Sequence, residues 1–125
     1  MKQPIVLSHL AHLWLIDIDG TIVKHNGHLE SGDELLPGVK AFWDQIPEGD
    51  HIVLLTARDQ AYTDQTVELL RVNDLRYNQI LFGLPTGERI VINDQKPSGL
   101  CTAHAISTPR DYGLVDLEIS INKEL

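Results

Sequence analysis

Two carboxylates stand at the end of an apolar run: Leu13-Trp14-Leu15-Ile16-Asp17-Ile18-Asp19, followed at once by Gly20-Thr21. The run reads as a buried strand that Gly20 breaks. Side chains alternate along a strand, so Asp17 and Asp19 share a face unless the strand bends between them. Two acids so placed are costly without a cation or a proton. Hard carboxylate oxygens suit Mg²⁺, which takes few protein ligands and keeps several waters. With that ion present, one aspartate can attack phosphorus and form an aspartyl phosphate. The other can protonate the leaving oxygen and then deprotonate the attacking water. A hydroxyl such as that of Thr56 can hold a phosphoryl oxygen.

The elements that must position these groups follow from the hydrophobic pattern. Residues 13–18 form the first predicted strand. Residues 22–30 hold Asn26-Gly27 between two short strand-like pieces, which predicts a tight hairpin. Pro37 suits the first turn of a helix carrying Val39, Phe42, Trp43 and Ile46 inward, stopped by Pro47 and Gly49. Residues His51–Thr56 read as a second buried strand. Asp59 would cap a helix reaching about Leu75, with Val67, Leu69, Leu70 and Val72 on its apolar side. Ile80–Phe82 and Arg89–Asn93 read as third and fourth strands. Ala103–Ser107 and Val115–Ile121 are weaker strand candidates. Strands alternating with helices imply an α/β fold with a mostly parallel sheet covered on both faces. Ligands of such sheets sit beyond the carboxyl ends of the strands. Three predicted strands end there in polar groups: Asp17 and Asp19, then Thr56 with Ala57 and Arg58, then Asn93 and Asp94.

Asp17-Ile18-Asp19-Gly20-Thr21 resembles the first motif of the haloacid dehalogenase-like phosphatases. Leu54-Leu55-Thr56-Ala57-Arg58 is similar to their second, and Ile92-Asn93-Asp94 to a variant of their fourth. The resemblance spans roughly residues 12–107. It implies a Rossmann-like three-layer fold and a Mg²⁺-dependent phosphomonoester hydrolase. Asp17 would be the nucleophile and Asp19 the acid and base. The metal would be held by the Asp17 carboxylate, the Asp19 backbone carbonyl and Asp94. Gly20, Thr21, Ala57, Arg58 and Asn93 would lie against the substrate, Asn93 standing where the family often has a further aspartate. The family's third motif supplies a lysine in a Gly-Lys-Pro. Here the segment is Gly83-Leu84-Pro85, so Leu84 stands in its place. Lys96, the basic residue nearest a ligand in sequence, is expected to replace it, with Arg58, Lys24 and Arg89 as other candidates. The substitution also opens a second reading, a weakened relative that binds a phosphorylated ligand or a protein partner.

Cap domains of this family are inserted after the first motif or between the second and third. Neither interval has room for one here, so the chain resembles the capless type, with residues 22–30 as its only flap. An open site suits a bulky substrate or closure by a neighbouring subunit in a homo-oligomer. Short members resembling this chain often accompany polysaccharide synthesis, which implies a sugar phosphate. A signalling receiver domain fits poorly, because receivers carry their acid pair adjacent and their phospho-acceptor on a later strand.

Composition bounds the remaining classes. The chain has 125 residues, a single domain by size, with 18 acidic and 10 basic residues and a net charge of -8. Such a surface repels nucleic acid and anionic membranes. Cys101 is the only cysteine, which excludes an internal disulfide and favours a reducing compartment. The N-terminal residues show no signal-peptide pattern, so a cytoplasmic location is expected. His9 with His12, and His25 with His28, lack the partners of a zinc site.

Overall fold

The computed structural model describes residues 2–30 and 32–125. In chain order it has β1 (Gln3–Leu7), β2 (Leu13–Asp17), a 3₁₀ turn (Gly27–Leu29), α1 (Val39–Gln45), β3 (His51–Leu55), a second 3₁₀ turn (Gln60–Tyr62), α2 (Thr63–Val72), β4 (Gln79–Leu81) and β5 (Leu117–Ile121). Every ladder between these strands is parallel. One sheet has the order β2-β3-β4, with Leu13 opposite His51 and Asp17 opposite Leu55. A separate pair joins β1 to β5, with Gln3 opposite Leu117. The architecture is a small α/β domain with two helices. No helix among the described residues is long and apolar enough to cross a membrane.

One face of the larger sheet, with Trp14, Ile16, Ile52 and Leu54, packs into the core with Phe42 and Trp43 of α1 and Leu69 and Leu70 of α2. Trp14 meets Phe42 edge to face at 5.8 Å. The opposite face leaves Leu13, Leu15 and Leu81 exposed. Cover on both faces, expected from the alternation of strands and helices, is therefore incomplete.

Local chemistry explains the element ends. Ile46 takes an extended conformation because Pro47 disfavours a helical residue before it, and α1 stops there. Asp59 accepts a hydrogen bond from Ala61 N at 2.8 Å, capping the 3₁₀ turn that leads into α2. α2 ends at Val72 rather than near Leu75. Asp74 adopts a left-handed conformation, and Leu75 N bonds back to the Leu70 carbonyl at 3.0 Å. Within α2 the buried residues are Thr66, Leu69 and Leu70, while Val67 and Val72 face outward. Thr66 sets that rotation. Its hydroxyl accepts from Arg58 Nη1 and donates to the Tyr62 carbonyl.

Two predicted strands are absent. Arg89–Asn93 and Ala103–Ser107 lie within 82–116, a stretch without helix or strand. Ile90 and Ile92 are 81% and 93% exposed. The Arg89 guanidinium sits on Asp17 at the carboxyl end of β2 and on the Pro85 carbonyl. A parallel strand beside β2 would start at the other end of it, about 13 Å away at 3.3 Å per residue. The expected hairpin at 22–30 is replaced by the first 3₁₀ turn. Asn26 is left-handed there, and Lys24 N donates to the Glu34 carbonyl at 2.9 Å.

At the amino end of the sheet Asp50 is buried and fully engaged. Oδ1 accepts from His12 N at 3.0 Å, and Oδ2 meets His12 Nδ1 and Trp14 Nε1, both at 2.8 Å. An Asp50→Asn chain has one acceptor oxygen instead of two and turns an N–H toward a donor. It is expected to lose about 2 kcal/mol in urea unfolding, the cost of buried unsatisfied donors.

Candidate active site

The first group comes from the end of β2. Ile18 N still bonds the Leu55 carbonyl, but the Ile18 carbonyl accepts from Thr21, Ile22 and Val23 N. This turn ends the strand, and Gly20 takes a positive φ of 81° within it. A Cβ on Gly20 would also lie 3.3 Å from the Arg110 side chain. Asp17 therefore stays on the strand, one-third exposed, while Asp19 lies within the turn and is more covered.

The second group comes from the end of β3. Thr56 is buried, and its Oγ1 donates to Asp19 Oδ2 at 2.8 Å while accepting from Arg58 N at 3.0 Å. The Arg58 side chain is completely covered. Its Nε and Nη2 meet Asp19 Oδ1 at 3.0 and 2.9 Å, both terminal nitrogens meet Asp33, and Nη1 also donates to Thr66 Oγ1 at 2.9 Å. Burial alone would pull the Arg58 pKa down, but hydrogen bonds to Asp33 and Asp19 outweigh it and raise it above the ordinary arginine value. Arg58 thus spends its charge inside the protein, on Asp19 and Asp33, rather than presenting it to solvent. The Thr56 hydroxyl is likewise committed to Asp19.

The third group comes from the irregular segment. Arg89 Nη2 lies 3.0 Å from Asp17 Oδ1, with Nε at 3.3 Å from Oδ2. Two guanidiniums, Arg58 and Arg89, thus face three carboxylates, Asp17, Asp19 and Asp33, which leaves one net negative charge (three minus two). Leu84 N bonds the Thr56 carbonyl at 3.1 Å.

Asn93, Asp94 and Lys96 do not join this arrangement. All three are exposed, and none makes a hydrogen bond or ion pair with Asp17 or Asp19 among the described residues. Asn93 Nδ2 and Thr102 Oγ1 donate to the Thr102 and Asp94 carbonyls respectively, and Lys96 N bonds the Leu100 carbonyl. Gly20 is buried and accepts from Asp111 N at 2.9 Å, Thr21 is half-buried, and Ala57 is exposed. Among the described residues no group of three His, Cys, Asp or Glu side chains that could hold a metal ion is found. Arg89 and Arg58 pair with the carboxylates of Asp17 and Asp19 in this conformation, and Asp94 stands apart from both.

Asp33 and His28 belong to the site by geometry alone. Asp33 belongs to no motif in the sequence and becomes a partner of Arg58 only through the fold. His28, in the first 3₁₀ turn, places Nδ1 3.7 Å from Asp19 Oδ1. Asp17 lies at the open surface, whereas Asp19 and Asp33 are largely covered. A cleft of about 320 Å³ lined by Val67, Leu70, Tyr77 and neighbours is elsewhere, at the end of α2, and none of these carboxylates lines it. No protein-family model matches the chain, and no curated protein or solved structure is significantly similar to it.

Proposed function

We propose that this chain hydrolyses a small phosphomonoester, a sugar phosphate being the favoured class, as a capless haloacid dehalogenase-like phosphatase. The observation that carries the reading is a division of labour between the two carboxylates. Asp17 is accessible and faced by a guanidinium, whereas Asp19, two residues on, is clamped by Thr56 and Arg58. Both lie at the carboxyl end of parallel strands, where ligands of such sheets bind.

In this reading an Asp17 oxygen attacks phosphorus, and the bond from phosphorus to the leaving oxygen breaks. Asp19 enters this step protonated, gives its proton to that oxygen, and regains one from the water that attacks the aspartyl phosphate. Inorganic phosphate departs and Asp17 is restored. Arg89 offsets the charge of Asp17 and of the arriving phosphate, the duty expected of the absent lysine. Mg²⁺, when bound, would be held by the Asp17 carboxylate and the Asp19 backbone carbonyl and would offset the charge of the phosphate alongside Arg89.

The test is turnover of p-nitrophenyl phosphate and a panel of sugar phosphates, with MgCl₂ and with EDTA. Turnover that EDTA abolishes is the expected result, and turnover that ignores EDTA removes the metal from the reading. Arg89→Ala is expected to lower kcat/KM by about 10²-fold, the scale of losing one donor to developing charge. An unchanged rate would eliminate Arg89 as the replacement cation. One observation favours the second reading, a protein that binds a phosphorylated ligand without turnover: both Asp19 oxygens already accept hydrogen bonds. Binding of inorganic phosphate in calorimetry with no hydrolysis of any ester would establish it.

A further inference from the structure

His28 Nδ1 is the one buried side-chain nitrogen or oxygen without a hydrogen-bond partner among the described residues. An orphaned buried polar atom costs about 1–3 kcal/mol, so it needs a reason. The His28 side chain is only 7% exposed and stands edge-on against the Tyr62 ring, 4.7 Å between centroids. It is carried by the 3₁₀ turn over the site, and Tyr62 leads into α2. The ring is thereby wedged between the flap and the start of that helix. Its unpaired nitrogen faces Asp19 Oδ1 at 3.7 Å, beyond hydrogen-bond range by roughly 1 Å or less.

We propose that His28 is a positioning residue for Asp19. Its Nδ1–H donates to Asp19 Oδ1 when the flap settles on a bound phosphomonoester. The inference rests on the reading of Asp19 as the proton donor to the leaving oxygen. Thr56 holds one Asp19 oxygen, and Arg58 holds the other from the inner side. These contacts come from the β3 end alone, and among the described residues no hydrogen bond holds the carboxylate from the flap side. A donor there fixes the carboxylate plane, and with it the direction of the proton. The flap thus couples substrate arrival to the aim of Asp19, without touching phosphorus.

The role separates from simple packing by leaving group. p-Nitrophenolate departs readily without a proton, whereas the alkoxide of glycerol 1-phosphate needs one. His28→Phe keeps a ring against Tyr62 and removes the nitrogen. It is expected to lower kcat about tenfold on glycerol 1-phosphate and less than about twofold on p-nitrophenyl phosphate, with KM little changed. His28→Asn places an amide N–H near the Nδ1 position and is expected to recover most of the loss. Equal losses on both esters, or no recovery with asparagine, would overturn the role. A measurement without turnover stands beside it. In ¹⁵N-histidine NMR of the intact chain, His28 Nδ1 is expected to carry a proton. A bare Nδ1 overturns the pairing whatever the chain hydrolyses. If neither ester is hydrolysed while Nδ1 is protonated, the phosphatase reading fails and the His28–Asp19 pairing stands.

Discussion

Asp17→Asn is expected to reduce phosphomonoester turnover by about 10⁴-fold or more, the scale of deleting an attacking group from a set that acts as a unit. The amide has nearly the shape of the carboxylate but no negative oxygen to attack phosphorus. Asp17 is one-third exposed, and its only ion pair among the described residues is with the similarly exposed Arg89. Such a pair contributes about 1 kcal/mol or less, so the unfolding midpoint should hardly move. The two measurements together define the result: turnover collapses and stability does not. Freed from Asp17, Arg89 should accept an external anion more readily, so inorganic phosphate binding in calorimetry should persist or strengthen. Turnover within tenfold of the unsubstituted chain would remove Asp17 as nucleophile and the phosphatase reading with it.

Arg58→Ala is expected to destabilise the fold by about 3–5 kcal/mol, because it leaves two largely buried carboxylates, Asp19 and Asp33, without their cation. With a urea dependence of about 1–3 kcal/mol per molar, the unfolding midpoint should fall by roughly 1 M or more. The loss is not mainly that of an attractive pair. Desolvation of three charges opposes their mutual attraction, and removing one partner leaves the penalty without the compensation. A cycle with Asp33→Asn tests this. The double variant should lose less than the sum of the single losses, since each substitution relieves part of the imbalance left by the other. Strict additivity would show that the guanidinium and Asp33 do not interact.

The strands that carry the two carboxylates and Thr56 were legible in the sequence. Leu13–Asp17 and His51–Leu55 are continuous apolar runs bounded by breakers, and each pairs with neighbours in the expected parallel sense. The helix at Val39–Gln45 was legible for the same local reason: the spacing of Val39, Phe42 and Trp43 and the proline after Ile46. β1 was not, because Gln3–Leu7 is short and its pairing lies with Leu117–Ile121 at the far end of the chain. Arg89-Ile90-Val91-Ile92-Asn93 misleads for the complementary reason. Its composition favours a strand, but a strand exists only with a partner edge, and here its first side chain is tied across the end of β2.

The amino-acid sequence alone determined which groups stand at the ends of β2 and β3, because that depends on apolar runs and the turn residues that close them. Only the tertiary structure decided what those groups do to one another. It turned Arg58 inward between Asp19 and Asp33, set Arg89 rather than Lys96 on Asp17, left Asp94 apart, and wedged His28 beneath the flap. Those choices join residues distant in the chain and turn on burial and charge balance, which no local pattern of letters encodes.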